Sequence, residues 1–127
     1  MIELLICAIY REYINAQWAY GGAGTGAPVH YHNTAWNALI YGSKYWVMYP
    51  PHTLVMSNKH ILRFIEEDLT AFEAKGHKPL TCVQTAGDVM IIPESWSHGV
   101  LNIQVCIQET HVQCIACTNV LSLFVYV

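Results

Sequence analysis

Two histidines one residue apart, His30 and His32 in the run VHYH, are the first residues of this chain whose types and spacing could do chemistry. Side chains alternate faces along a strand, so a strand over residues 29–32 points both imidazoles one way and Tyr31 the other. His98 follows 66 residues after His32, directly behind a PESWS turn and at the start of another apolar run. If the strands close into one barrel, the three imidazoles share a face and form a metal-type donor set with open positions. Lys44 begins the strand after a Gly42-Ser43 turn, inside an aromatic and apolar run. An ammonium group there calls for an anionic partner, because an unpaired buried charge is costly, and a bound carboxylate would supply one. Each residue also has a plainer reading. Paired strand histidines are more often ordinary strand residues than ligands, His98 would serve as a hydrogen-bonded turn residue, and most lysines are solvated.

The elements that must position these groups read as short strands around one helix. GGAGTGAP, residues 21–28, puts four glycines and a proline in eight positions, which marks an irregular segment feeding a strand. It has neither the Lys-Ser/Thr ending of a phosphate-binding loop nor the GxGxxG dinucleotide spacing. VHYH, AWNALIY and KYWVMYP follow as strands rich in aromatic and β-favouring residues, closed by Pro50-Pro51. Residues 57–76 break that texture. Ile61, Ile65, Leu69 and Phe72 recur at near-helical spacing, Ser57 or Asn58 is available as N-cap, and Gly76 as a stop, which predicts one amphipathic helix with Glu66, Glu67, Asp68 and Glu73 on its solvated side. After Pro79 the strands resume as LTCVQ, a TAGD turn, VMII, the PESW turn and HGVLNIQV, at the regular spacing of an all-β sandwich or barrel.

The glycine-rich lead-in, the His-x-His, AWNALIYGSKYWVMYPP and DVMIIPESWSHGVLN together resemble the JmjC domain, the iron(II)- and 2-oxoglutarate-dependent oxygenase family built on a double-stranded β-helix. The matching blocks run in order from residue 17 to about residue 104. The resemblance implies an all-β, jelly-roll or cupin-like core with one inserted amphipathic helix, incomplete at its C-terminal end. The domain spans residues 17–108, between a lead-in at 1–16 and a divergent apolar tail at 109–127. It further implies that His30 and His98 are iron ligands and that Lys44 binds the distal carboxylate of 2-oxoglutarate. Asn37, Asn102 and Thr25 fall at polar positions that line the co-substrate pocket in family members. The match departs at the middle ligand, where the usual His-x-Asp or His-x-Glu supplies the one carboxylate of the facial triad and this chain has His32. A third neutral imidazole leaves the charge of a divalent ion uncompensated. Two expectations follow: an oxygenase-like protein of the hydroxylase or demethylase class acting on a protein substrate, or a catalytically silent module of the same fold that binds a protein partner. A subgroup of the family with the same glycine loop and His-aromatic-His motif points toward the endoplasmic-reticulum lumen.

Bulk composition bounds these readings. With 127 residues there is room for one domain with one core. Hydrophobic residues make up 54% and charged residues 12%, less than half of the roughly 25% charged fraction of ordinary soluble domains, so the chain buries much of itself or offers apolar surface to a partner. Six Lys plus Arg, unclustered, within a net charge of -3 give no patch for neutralising phosphates, and direct nucleic-acid binding is not expected. Cys7, Cys82, Cys106, Cys114 and Cys117 follow no disulfide spacing and read as buried hydrophobes or free thiols. His111, Cys114 and Cys117 form an H-x-x-C-x-x-C run, but no fourth ligand lies near and the setting is apolar, which weighs against zinc. The first residues lack the positive region of a signal peptide, and the last 16 are short of the roughly 20 that a spanning helix needs, so a membrane span is not favoured. Trp36, Trp46 and Trp96 are read as core or pocket wall.

Overall fold

A computed structural model of the chain describes residues 17–112. The lead-in expected over 1–16, Cys7, and the Cys114 and Cys117 part of the H-x-x-C-x-x-C run fall outside the described residues. The strands are β1 (Gln17–Gly21), β2 (Gly26–His30), β3 (Ala35–Tyr41), β4 (Ser43–Tyr49), β5 (Leu80–Thr85), β6 (Val89–Ile92), β7 (Ser97–Asn102) and β8 (Cys106–Val112). They form two antiparallel four-stranded sheets, ordered β1-β8-β3-β6 and β2-β7-β4-β5. This is the double-stranded β-helix expected of a cupin-like core. β8 crosses the boundary drawn at residue 108 and lies inside the first sheet, between β1 and β3.

Period-two alternation explains how the sheets pack. On β4 the side chains of Lys44, Trp46 and Met48 share one face, and on β7 those of His98, Val100 and Asn102 do. The register sets them opposite one another: Lys44 against Asn102, Trp46 against Val100, Met48 against His98. Trp46, Met48 and Val100 pack against Ala35 and Ile92 of the other sheet, with Trp96 and Cys82 at the margin. The opposite face of β4 carries Val47 and Tyr49, which pack with Val29, Val55, Ile61 and Phe64 in a second cluster beneath the helix. One sheet therefore has cores on both faces, which accounts for the nearly continuous burial of β4 and β7.

The helix departs from the expectation in its start and its regularity. It begins as α1 (Ile61–Arg63), widens into a π-helical stretch (Phe64–Asp68), and ends as α2 (Leu69–Ala74). His60 caps it in place of Ser57 or Asn58, accepting a hydrogen bond at Nδ1 from the Leu62 amide at 3.3 Å. The reason is a tether. The Ser57 amide donates to the Val29 carbonyl at 3.0 Å and the Ser57 hydroxyl accepts from the Lys59 amide at 3.1 Å, so this segment is held extended against β2 until residue 60. Gly76, with φ +88, stops the helix as expected. Lys59 pairs with Glu67 and Asp68 on the solvated side.

Candidate active site

β2 and β7 lie close enough to bring two of the three histidines together through backbone register alone. A Cβ on Gly26 would collide with the Val100 carbonyl, so this approach requires glycine there. A register shift between Ala27 and His30 then sets His30 directly opposite His98. β2 ends at His30, so His32 reaches the cluster from the connecting segment rather than from the strand that simple alternation implies. The ring centroids lie 5.2 Å apart for His30 and His32, 4.5 Å for His30 and His98, and 4.6 Å for His32 and His98. One ligand nitrogen from each lies within 4.8 Å of the others.

Hydrogen bonding selects which nitrogen that is. His30 Nδ1 lies 2.7 Å from the Pro28 carbonyl, His32 Nδ1 2.6 Å from the Asn33 carbonyl, and His98 Nδ1 3.0 Å from the Trp96 carbonyl. Carbonyl oxygens only accept, so each Nδ1 carries the hydrogen, and the neutral ring keeps a lone pair on Nε2. Three imidazoles with backbone-fixed tautomers form a donor set that suits a divalent transition ion. His98 is 3% exposed, and burial, reinforced by the neighbouring His30 and His32 and opposed by the Trp96 carbonyl, pushes its pKa down to about 4, which keeps it neutral.

Lys44 is also 3% exposed. Its Nζ donates to Asn102 Oδ1 at 2.6 Å, Asn102 Nδ2 donates to Thr25 Oγ1 at 2.9 Å, and the Thr25 hydroxyl donates to the Gly22 carbonyl at 2.7 Å. A Cβ on Gly21 would strike Asn102 Nδ2, so the glycine loop leaves room for this relay. No carboxylate pairs with Lys44 among the described residues, and burial holds its pKa below the usual lysine value. The structure thus brings Lys44, Asn102 and Thr25 into one hydrogen-bonded line.

The histidines and this line border a single cavity of about 360 Å³ between the sheets. Asn37 also lines it; that residue is buried, and its Oδ1 has no hydrogen-bond partner among the described residues. Every site residue expected from the sequence therefore borders this cavity. Gln108 of β8 was not anticipated. It lines the cavity with a buried Oε1 that has no hydrogen-bond partner among the described residues, and only the pairing of β8 with β3 reveals its place. Gln84 was also missed. It accepts from Trp46 Nε1 at 2.9 Å and donates to the Asn37 carbonyl at 2.9 Å, which fixes the Trp46 wall of the cavity. Cys82 and Cys106 are free thiols away from the cavity lining. No described helix is long and apolar enough to cross a membrane.

A family model described as "JmjC domain, hydroxylase" matches residues 21–112. JmjC domain-containing protein 8 of Homo sapiens is 36% identical over 84 residues, covering 65% of this chain and 31% of that protein. The bifunctional arginine demethylase and lysyl-hydroxylase psr-1 of Caenorhabditis elegans is 31% identical over 112 residues, covering 74% of this chain and 28% of that protein. The chain therefore spans less than a third of the length of these curated relatives. The crystal structure of Drosophila melanogaster CENP-C bound to CAL1 aligns with a TM-score of 0.55 at 8% identity, covering 80% of this chain and 63% of that one. At such identity the likeness concerns the fold alone.

Proposed function

Because the chain belongs to the JmjC domain family, of an oxygenase-like class, we propose that it binds iron(II) through His30, His32 and His98 and 2-oxoglutarate through Lys44, and that it hydroxylates a protein substrate or demethylates one through hydroxylation. The observation that carries this reading is the meeting, in one cavity, of three imidazoles with matched tautomers and a buried lysine that has no counter-ion among the described residues. When bound, iron and the keto acid would supply the chemistry that activates dioxygen, which is the oxidant. The chain's own groups do the rest. The Pro28, Asn33 and Trp96 carbonyls hold the rings in their ligand tautomers. Lys44 offers its ammonium to a carboxylate, aimed by Asn102, which Thr25 aims in turn. Trp46, Val100 and Ile92 line the cavity with apolar surface, which strengthens the charge pairing.

His32 favours a second reading. With an imidazole where the family carries a carboxylate, the site would bind metal without turning over, and the chain would act by holding a protein partner. Oxygen-dependent conversion of 2-oxoglutarate to succinate by the iron-loaded chain separates the two. Turnover that His98→Ala abolishes is the expected result. An inert unmodified chain, with turnover appearing in His32→Asp, would instead establish the silent module.

A further inference from the structure

Backbone register places an apolar stretch between the two polar ends of the cavity. Where β4 lies beside β7 the facing pairs run in order: Lys44 with Asn102, Trp46 with Val100, and Met48 with His98. A molecule that reaches from the histidines to the Lys44 ammonium therefore lies across Trp46 and Val100. Ala35 and Ile92 of the other sheet pack against the same two residues, so the room left for the middle of such a molecule depends on where the Trp46 indole lies. Gln84 decides that. It is 2% exposed and stands opposite Lys44 in the register of β4 with β5, without lining the cavity itself. Its Oε1 accepts from Trp46 Nε1 at 2.9 Å, and its Nε2 donates to the carbonyls of Asn37 at 2.9 Å and Asp88 at 3.1 Å. Reversing the amide would set its Nε2 against the indole N–H and its oxygen against two carbonyls, so these partners admit one orientation. Asn37 belongs to β3, and Asp88 to the turn before β6, which is held on β3 by the Leu39 amide donating to the Asp88 carbonyl at 3.1 Å and the Gly87 amide to the Leu39 carbonyl at 2.8 Å. One side chain thus ties the indole to both sheets.

We propose that Gln84 is a positioning residue that gives the site its shape selectivity: by fixing the Trp46 indole it confines the middle of the cavity to an unbranched chain. The ligand class this selects is a 2-oxo acid with a plain methylene spacer before its distal carboxylate, and an acid branched on that spacer is rejected. The proposal rests on the metal and keto-acid reading above and narrows it. A close-packed wall resists even one added carbon, provided its side chains cannot turn away. Without the Gln84 acceptor the indole N–H is left unpaired in a buried setting, and the ring turns to find another partner. A wall that turns no longer excludes the branch.

The test is calorimetric titration of the cobalt(II)-loaded full chain with 2-oxoglutarate and with 3-methyl-2-oxoglutarate. The unmodified chain is expected to prefer the unbranched acid by about tenfold or more, and Gln84→Met to cut that preference to about threefold or less. A merely structural Gln84 would weaken both acids alike and leave their ratio unchanged. Replacing Trp46 with 3-benzothienylalanine keeps the shape of the ring and puts sulfur in place of the N–H. It should lower the preference in the same way, and it decides the matter where Gln84→Met fails to fold. An undiminished preference in either folded variant, or equal binding of the two acids by the unmodified chain, overturns the proposal while leaving the keto-acid reading intact. An unmodified chain that binds cobalt and neither acid overturns that reading and the proposal with it.

Discussion

Lys44 combines two properties that rarely coexist without a ligand: it is almost fully buried, and among the described residues its ammonium meets the neutral amide of Asn102 and no carboxylate. A single hydrogen bond from a charged group contributes about 1.5–3 kcal/mol net, less than the several kcal/mol that enclosing an ammonium group costs. Lys44→Met should therefore leave the ligand-free chain at least as stable in urea denaturation, while weakening 2-oxoglutarate binding to the metal-loaded chain by about 2–5 kcal/mol in calorimetry. A loss of stability without a loss of ligand affinity would make Lys44 a structural residue. Lys44 and the histidines were legible in the sequence because their chemistry clashes with their apolar neighbours and because the blocks around them match a family pattern. Gln108 and Gln84 were not, since an isolated glutamine on a strand has no local signature. Their places depend on which distant strand lies alongside, β3 for Gln108 and β4 for Gln84.

At the scale of elements, the strands follow from β-favouring residues punctuated by Gly, Pro and Asp turns; the bounds of β3 to β7 sit close to the expected runs, whereas β1 and β8 lie outside them and β2 begins within the glycine-rich loop. The end of β2 and the start of the helix were less legible because both depend on tertiary contacts: the register shift opposite β7, and the tether of Ser57 to Val29. The helix in turn covers Tyr49, whose hydroxyl has no hydrogen-bond partner among the described residues. Burial, with Glu73 and Tyr45 adding to it, pushes the Tyr49 pKa up to about 12 from the ordinary 10.0. The folded chain thus keeps a proton that the unfolded chain releases. The stability linked to that proton is complete below pH 10 and is lost progressively as pH rises from about 10 to about 12. Tyr49→Phe should match or exceed the unmodified chain at neutral pH, by up to about 1 kcal/mol, and should show a shallower alkaline decline in denaturation midpoint. Equal alkaline slopes in the two proteins would show that the Tyr49 proton does not contribute.

For the whole molecule, the two-sheet architecture was readable from the family-like blocks, but the strand order was not, because non-local pairing leaves no trace in local periodicity. The order matters to the site. It sets β2 beside β7 and β7 beside β4, so one face of one sheet carries His30, His98, Asn102 and Lys44, and the facing sheet adds Asn37 and Gln108. A ligand pair seated between the sheets joins both layers and should stabilise the fold as a unit. Iron(II) with 2-oxoglutarate at about a hundred times its dissociation constant should add roughly 2.7 kcal/mol. That corresponds to a rise in melting temperature of about 10 °C or more for a domain of this size, reversed by a chelator. No shift in scanning calorimetry would mean that the cavity does not take the pair. The most direct test of the central claim is an anaerobic titration of the folded chain with iron(II) and then 2-oxoglutarate, watched for the charge-transfer absorbance of a keto acid chelating protein-bound iron. The account predicts that the band appears in the unmodified chain and is lost in both His98→Ala and Lys44→Ala. A folded chain that never shows the band would contradict it.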